Sequence, residues 1–376
     1  MTQAPLPPRR RTRFGVAAAV GSLGIGAAAV FGVQAATTPT TVVGQASPAQ
    51  TGSAPAGFVP AYRPGGSFGG TSSSSAATTT ASAAQQVGIV EINTVLQYQN
   101  AAAAGTGMVL TSDGEILTNN HVVEGATSIS VTISSTGATY DATVVGTDPT
   151  DDVAVIQLSD ASGLRTANLS TAVASVGEAV TGVGNAGGTG TLTAATGSVT
   201  ALDQSITATD ETGSDAEQLT GLIETDAAIQ AGDSGGPLYG DDGTVIGMDT
   251  AASSGGATVA YAIPIATAEQ IAAQIESGVD NTTVHQGTPA FLGVSLQNGA
   301  DGATVAGVLS GGAAESAGLA AGDVITSLDG TAITSTDDLS SVMAGYAPGD
   351  RVTVTWTTAA GATESAGVTL GSGPAD

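Results

Sequence analysis

Short apolar runs separated by turn residues dominate the chain from Gln86 to about Gly278. The runs are Ile116–Leu117, Ser128–Ile133, Ala142–Val145, Val153–Leu158, Ala179–Val183, Gly197–Leu202, Leu222–Thr225 and Val245–Met248. Turn signals such as Ser112-Asp113-Gly114 lie between them, and helical periodicity is nearly absent until Ala266–Ile275. Many short strands at this spacing indicate an all-β barrel domain.

A different pattern follows a short polar hinge at Thr282–Gly287. Residues Thr288–Gly371 alternate strand-like runs with one clear helix, for which Ser335 is the expected N-cap. Acidic residues fill the first turn of that helix, and apolar residues then follow helical spacing at Leu339, Val342, Met343 and Tyr346. The pattern predicts a separate small α+β module.

The N-terminal part divides into three segments by charge and composition. The uncharged run Phe14–Val33 is about long enough to cross a bilayer. Residues 1–13 carry four Arg, and this cluster is expected to keep that end in the cytoplasm. The run is either a retained transmembrane anchor or a signal segment cleaved near Val33-Gln34-Ala35. Residues 34–85, rich in Ser, Thr, Ala, Pro and Gly, are predicted to form a disordered linker.

Composition excludes several classes of function. The net charge of -26 disfavours nucleic-acid binding, because the acidic surface repels phosphate. The chain has two His and no Cys, which argues against a structural zinc site, a disulfide framework and a thiol nucleophile. We therefore predict no cofactor and no metal, and chemistry based on oxygen nucleophiles.

The strongest local signal for chemistry is the segment Gly232-Asp233-Ser234-Gly235-Gly236-Pro237. A Ser flanked by Gly can occupy a tight turn that exposes its hydroxyl, while neighbouring backbone N–H groups converge on an oxyanion. Such a segment alone is often only a loop. A Ser hydroxyl also needs a base, usually an imidazole that a carboxylate orients.

Only two His can supply that base. His121 lies in Thr118-Asn119-Asn120-His121-Val122-Val123, directly after a predicted strand, whereas His285 lies in the polar hinge and is expected to be a solvated linker residue. Asp152 is the better orienting carboxylate because it directly precedes an apolar strand, while Asp148 and Asp151 are typical of a turn.

The order His121, Asp152, Ser234, in the segments TNNHVV, DPTDDVAVIQL and TDAAIQAGDSGGPL, resembles the HtrA/Deg family of chymotrypsin-fold serine proteases. Gly182–Asn185 and Ala260–Pro264 are similar to strands of that family. The resemblance covers roughly residues 86–278. It implies a mainly β chain in which residues 86–280 form a chymotrypsin-like double β-barrel protease domain.

The resemblance also implies roles for single residues. Ser234 would attack the scissile carbonyl, His121 would take and return the proton, and Asp152 would orient the imidazole. The backbone N–H groups of Gly232 and Ser234, and also that of Asp233, would form the oxyanion hole.

Specificity is less well marked in the sequence. Ile229 lies where the family lines its primary specificity pocket, although an ordinary core Ile is an equal alternative. The family usually has Asn at the position of Asp233, and the Gly- and Ser-rich segment Ala251–Thr258 differs from its usual substrate-facing loop.

The second module, residues 288–371, resembles a PDZ domain. Phe291, Leu292, Gly293 and Val294 match the carboxylate-binding loop and first strand, and Ala317-Gly318-Leu319 with Gly322–Ile325 match the body of the domain. The resemblance implies that C-terminal peptides add as a strand beside Val294. A small α+β domain without a ligand is the alternative.

The sequence thus favours an exported serine endopeptidase with one PDZ domain that degrades unfolded or misfolded proteins in the cell envelope. It would be held at the cell membrane by a single N-terminal helix, or secreted if that helix is cleaved. The family resemblance implies an oligomer, most often a homotrimer, which nothing in the sequence itself establishes. One alternative is a proteolytically silent PDZ adaptor or chaperone. Another is a wall-associated adhesin, which would not explain the ordered His, Asp and Ser.

Overall fold

In the computed structural model, the structure describes residues 32–34, 78–96, 101–209, 216–252, 259–299 and 302–375. Two short strands, β1 (Gly32–Gln34) and β2 (Thr78–Thr80), precede the main domain. Most of the predicted membrane span 14–33 and of the predicted linker lies outside the described residues. Within the described ranges, no helix has the length and apolar character needed to cross a membrane.

A first β-barrel follows, built from six strands and one short helix. They are β3 (Ile89–Leu96), β4 (Ala101–Val109), β5 (Glu115–Thr118), α1 (Asn120–Val123), β6 (Ser128–Ile133), β7 (Thr139–Asp148) and β8 (Val153–Leu158). The strands pair in the order β7-β6-β3-β4-β5-β8, and β8 pairs back with β7 to close the barrel. Alternation along β6 turns Ile129, Val131 and Ile133 into the core.

A second barrel has the same closed form. Its elements are β9 (Ala179–Gly184), β10 (Thr193–Thr209), β11 (Ala216–Thr225), β12 (Pro237–Tyr239), β13 (Val245–Ala252), β14 (Ala260–Pro264) and the helix α2 (Ile265–Glu276). The strand order is β10-β11-β14-β13-β12-β9, and β9 pairs with β10. Both β1 and β2 pair with β10.

One hydrophobic cluster spans both barrels. It joins Leu117 and Val155 of the first barrel to Leu222 and Met248 of the second, and it includes apolar side chains of α2. The helix therefore packs against both barrels and fixes their relative position.

The C-terminal module is a small α+β domain, as the sequence predicted. Its elements are β15 (His285–Gln286), β16 (Ala290–Phe291), β17 (Val294–Gly299), β18 (Gly302–Val308), α3 (Ala313–Ala317), β19 (Val324–Leu328), β20 (Thr331–Ala332), α4 (Thr336–Met343), β21 (Arg351–Thr357), β22 (Thr363–Thr369) and β23 (Gly371–Ser372). The main sheet has the order β17-β18-β19-β21-β22. Ser335 caps α4 by accepting the N–H of Asp338, which confirms the expected N-cap.

This module is attached to the first barrel at both of its ends. At its start, β15 pairs with Gly146 and Thr147 of β7. At its end, the carbonyl of Ala375 accepts the N–H of Gly125 at 2.9 Å, and the N–H of Ala375 donates to the carbonyl of Ala126 at 3.3 Å.

Two sequence-based predictions need correction. The linker predicted over 34–85 contains Gln34 in β1 and residues 78–80 in β2, whose backbone groups pair with β10, so the ordered part begins before residue 86. The polar hinge Thr282–Gly287 contains β15, so it is docked rather than free. All eight predicted strands and the helix Ala266–Ile275 are confirmed.

The hydrophobic core of the C-terminal module and the core between the barrels should respond separately to mutation. Trp356, the only Trp of the chain, is 1% exposed in the core of the C-terminal module, so its fluorescence reports on that module. We expect Leu328→Ala to lower the free energy of unfolding followed by this fluorescence by about 2–5 kcal/mol, because it leaves a cavity. The matched control Leu222→Ala lies in the core between the barrels. An equal shift of the fluorescence transition in both variants would contradict separate cores.

Candidate active site

His121 and Asp152 meet at the end of the first barrel. His121 lies in α1, directly after β5, and Asp152 closes the turn between β7 and β8. In that turn, the carboxylate of Asp148 accepts the N–H groups of Thr150 and Asp151. Asp152 itself has φ 53°, a left-handed conformation that Asp adopts more readily than most residues. The turn therefore aims the Asp152 side chain at α1.

The Asp152 carboxylate is 1% exposed and is held by donors from both barrels. Its Oδ2 lies 2.9 Å from the ring Nδ1 of His121, and its Oδ1 accepts the backbone N–H of His121 at 3.0 Å. The hydroxyl of Thr250, on β13, donates to Oδ2 at 2.5 Å. With Nδ1 facing the carboxylate, the proton of a neutral imidazole belongs on Nδ1, which leaves Nε2 as an acceptor.

Thr250 also connects this carboxylate to Ser234. The Ser234 hydroxyl donates to the Thr250 carbonyl at 3.3 Å. The structure therefore brings the three residues predicted from sequence to one place, with His121 and Asp152 in direct contact and Ser234 joined to them through Thr250.

Ser234 lies in the turn of residues 230–236, called the Ser234 turn below. Gly232 has φ 95°, and a Cβ atom there would lie 2.3 Å from the Asn185 carbonyl oxygen. Gly235 has φ 80°, and a Cβ atom there would lie 2.1 Å from the Thr106 carbonyl oxygen. Only glycine fits these two positions, which explains the Gly residues on either side of Ser234.

Thr106 of the first barrel fastens the Ser234 turn. Its N–H donates to the Ser234 carbonyl at 2.8 Å, and its hydroxyl donates to the Gly232 carbonyl at 2.8 Å. The same hydroxyl accepts the N–H of Asn185 at 2.9 Å. With both carbonyls of the turn tied to the first barrel, the N–H groups of Gly232 and Ser234 are left without a hydrogen-bond partner among the described residues.

The prediction that the N–H of Asp233 belongs to an oxyanion hole is wrong. That N–H donates to the Gln230 carbonyl at 3.0 Å, inside the turn. The Asp233 side chain completes a ring, because its Oδ2 accepts the N–H of Gln230 at 2.9 Å.

One buried carboxyl group, that of Asp233, belongs to this turn, and a second, that of Asp249, belongs to β13. Burial raises the pKa of Asp233 to about 7, partly offset by the hydrogen bond from the Gln230 N–H. Burial also raises the pKa of Asp249 well above its ordinary value, and the negative charge of Asp233 raises it further.

Other predicted residues have less direct positions. Ile229 is 7% exposed and packs in the core cluster of the second barrel, as the alternative reading of an ordinary core residue expects. His285 is half-buried in β15 rather than solvated in a linker. The described residues contain no group of three or more side chains that could hold a metal ion.

The four residues predicted for peptide binding lie at one end of the C-terminal sheet. Leu292 is 3% exposed in the core, and its carbonyl accepts the N–H of Ala314, while the Gly293 carbonyl accepts the N–H of Leu309. Val294 begins β17, which is an edge strand of the main sheet. Half-buried Phe291 instead borders a cavity of about 510 Å³ beside α3. An edge strand of this kind can accept another strand.

Comparison with known proteins agrees with this geometry. Residues 105–248 match the trypsin-like peptidase domain, and residues 290–367 match the PDZ domain. The serine protease PepD of Mycobacterium tuberculosis is 33% identical over 291 residues, which cover 71% of this chain and 60% of PepD. The periplasmic serine endoprotease DegP of Escherichia coli is 35% identical over 272 residues, which cover 69% of this chain and 55% of DegP. The chain is therefore similar to serine proteases of the HtrA/Deg family and contains a trypsin-like peptidase domain and a PDZ domain.

The chain spans little more than half the length of these curated relatives. Among solved structures, the serine endoprotease from Yersinia pestis aligns with 78% of this chain and 99% of its own, at 24% identity and a TM-score of 0.44. The HtrA-type protease AlgW with a tripeptide aligns with 78% of this chain and 97% of its own, at 26% identity and a TM-score of 0.45.

Sequence reasoning missed Thr106 and Thr250. Thr250 lies two residues past the predicted strand Val245–Met248, and β13 continues through it. A polar Asp-Thr pair directly after a buried apolar run was the available signal. Thr106 lies in a run of small residues that carries no signal of its own.

The Thr250 hydroxyl should stabilise the fold through the buried Asp152 carboxylate. Thr250→Val removes this donor at nearly constant volume, so we expect the free energy of unfolding to fall by about 1–3 kcal/mol. Thr250→Ser keeps the hydroxyl and should retain most of the stability. Urea unfolding followed by circular dichroism measures both, and a Val variant as stable as the Ser variant would contradict this role.

Proposed function

We propose that this chain is a serine endopeptidase in which Ser234 is the nucleophile, His121 the general base and Asp152 the orienting carboxylate. The observation that carries the proposal is the arrangement around Asp152, whose carboxylate contacts the His121 ring at 2.9 Å and the Thr250 hydroxyl at 2.5 Å. Thr250 in turn accepts the Ser234 hydroxyl. An imidazole that a buried Asp orients can act as the base for a Ser hydroxyl that turns to its Nε2, and this is the requirement for acyl transfer.

The reaction follows from the tautomer of His121. Because Nδ1–H faces Asp152, Nε2 can accept a proton. The Ser234 hydroxyl turns from the Thr250 carbonyl toward Nε2, and the proton passes to Nε2 as Oγ forms a bond to the scissile carbonyl carbon. The imidazolium then protonates the leaving amine as the C–N bond breaks. A water molecule, deprotonated by the same nitrogen, hydrolyses the acyl-enzyme and regenerates Ser234.

The negative charge that develops on the carbonyl oxygen would be received by the N–H groups of Gly232 and Ser234. Both are left unpaired among the described residues, on a turn that Thr106 fastens. Donors fixed before the reaction cost no reorganisation when the charge develops, and removal of one such donor typically lowers kcat by about 10²–10³. Ile229, which directly precedes this turn in sequence, would border the pocket for an aliphatic P1 side chain.

The PDZ domain would bind C-terminal peptides. The free edge of β17 would pair with the peptide backbone, and the N–H groups of Leu292 and Gly293 would receive the terminal carboxylate, with Phe291 and Val294 beside them. The substrates we propose are unfolded or misfolded proteins of the cell envelope. Residues 14–33 would hold the enzyme at the membrane or direct its secretion, and three copies would form a homotrimer.

A proteolytically silent PDZ adaptor or chaperone is the second candidate, because the PDZ domain alone would serve such a role. The intact contact between His121 and Asp152 favours the enzyme, since an adaptor has no need of a buried carboxylate against an imidazole.

Removal of the nucleophile separates these two functions. We expect the full chain to hydrolyse unfolded casein, and Ser234→Ala to lower the initial rate by at least about 10³-fold, because only binding and the oxyanion N–H groups remain. Ser175→Ala, at an exposed position ahead of β9, is the matched loss of a Ser hydroxyl and should retain full activity. Equal inertness of wild type and Ser234→Ala on several unfolded proteins would favour the adaptor.

Peptide binding by the PDZ domain should depend on a free carboxylate. We expect labelled short peptides that end in Val or Leu to bind the full chain, and the same peptides with amidated ends to bind at least about ten-fold more weakly, because the charged acceptor is lost. Fluorescence anisotropy measures both affinities. Equal affinities would contradict carboxylate recognition in the loop at Leu292 and Gly293.

A further inference from the structure

Three buried carboxyl oxygens without a hydrogen-bond partner lie beside the Ser234 turn. They are Oδ1 of Asp233 and both oxygens of Asp249. Asp233 is 3% exposed and Asp249 is fully buried. A buried acceptor without a donor is costly, and a buried charge without a partner is more so, so this group of atoms requires an explanation.

The two carboxyl groups occupy adjacent places over one strand. A Cβ atom at Gly182 of β9 would lie 2.9 Å from Oδ2 of Asp249, and a Cβ atom at Gly184 would lie 2.6 Å from Oδ1 of Asp233. Residues 182 and 184 face the same side of β9 and lie about 6.6 Å apart. Both carboxyl groups therefore fill space that two glycines leave open, and they lie close enough for the charge of Asp233 to raise the pKa of Asp249.

No cation balances the pair within the described residues. The described ranges contain two basic side chains besides His, Arg165 and Arg351, and both are exposed. Strand β14 places Ala262 opposite Asp249, and β9 contributes the two glycines. The carboxylate of Asp152 is connected to this region through Thr250, the residue after Asp249, whose hydroxyl donates to it.

We infer that Asp249 is a neutral carboxylic acid that donates a hydrogen bond to Oδ1 of Asp233, and that the remaining ionisable proton, on Asp233, controls turnover by setting how firmly the Ser234 turn is held. This inference rests on the proposed protease function. It makes both residues positioning residues, which act on the reaction through the backbone of the turn.

The connection to the reacting groups is short. Asp233 precedes Ser234 and closes the ring with Gln230 through its Oδ2. The backbone of Asp249 donates to the Gly236 carbonyl and accepts the N–H of Gly235, both at 2.8 Å. When Asp233 is ionised, its carboxylate accepts the Gln230 N–H and the Asp249 O–H as charge-assisted hydrogen bonds, which are about twice as strong as neutral ones. The turn that carries the Gly232 N–H is then held most firmly.

The pH dependence follows from the pKa of Asp233, which burial raises to about 7. Below that pH, Asp233 is protonated and the charge-assisted bonds are lost, so activity falls. Protonation of the base His121 also lowers activity in acid. The acid side of the profile should therefore reflect two protonations, with log kcat/KM falling by about two for each pH unit rather than one.

Stability should change in the opposite direction. A carboxyl group whose pKa is raised by folding binds more protons in the folded state, so this group's contribution to stability is greatest in acid and is lost as pH rises from about 4 to about 7. Loss of activity in acid through this pair is therefore not unfolding, and the two measurements separate a positioning role from a structural one.

The test compares wild type with variants of each carboxyl group, using initial rates on labelled unfolded casein from about pH 5.5 to about pH 9. Asp233→Asn cannot ionise, so its acid limb should have a slope of one, and one pH unit below 7 it should retain about ten-fold more of its maximal activity than wild type does. Asp249→Asn keeps an N–H donor and should resemble wild type. Asp249→Ala removes the donor and should move the Asp233 protonation upward by at least about one pH unit.

Asp203→Asn is the matched control. It makes the same change of charge in the same barrel, at an exposed position where φ is 54°, which Asn tolerates. Its profile should superimpose on that of wild type. Superimposable profiles with a slope of one for wild type, Asp233→Asn and Asp249→Ala would overturn the inference.

Stability keeps the inference testable if no protein shows proteolysis, which would count against the proposed function alone. The difference between the urea midpoints of wild type and Asp233→Asn should fall as pH rises from about 4 to about 7. The difference between the midpoints of Asp203→Asn, which retains Asp233, and Asp233→Asn should fall in the same way. Constant differences over this range would show that Asp233 does not titrate as inferred and would overturn the inference independently of activity.

Discussion

The buried carboxylate of Asp152 is the constraint on which the rest of the structure depends. A charge that is 1% exposed is tolerated only when donors surround it, and those donors come from α1 and from β13. The first barrel supplies the imidazole and the second supplies the Thr250 hydroxyl. The two barrels must therefore pack in one relative arrangement, which the shared hydrophobic cluster and α2 maintain. The position of Ser234 follows from that arrangement, because Thr106 of the first barrel and Thr250 of the second both form hydrogen bonds with it.

Much of this arrangement was predictable from the sequence because its causes are local. Period-two alternation and turn residues determine the strands, so all eight predicted strands were correct. The Gly residues around Ser234 reflect backbone conformations and close approaches that only glycine allows. Asp152 was chosen over Asp148 and Asp151 because it directly precedes β8, and the structure places its side chain against His121.

The remaining features depend on residues that are distant in sequence. Thr106 and Ser234 are far apart along the chain, and no local pattern shows that the N–H of one meets the carbonyl of the other. The assignment of the Asp233 N–H failed for a related reason, since a turn can satisfy its own donor, as Gln230 does here. Asp249 looks like an ordinary polar residue in a strand from the sequence. In the structure it is fully buried, and both Arg side chains among the described residues are exposed.

The PDZ domain is joined to the first barrel at two points, β15 against β7 and Ala375 against Gly125 and Ala126. A domain attached at one point is free to rotate in any direction, whereas attachment at two points restricts its rotation to the axis through those points. The second attachment point lies just after α1, the helix that carries His121. The hydrogen bonds of Ala375 therefore connect the end of this domain to the backbone directly after the helix that carries the imidazole.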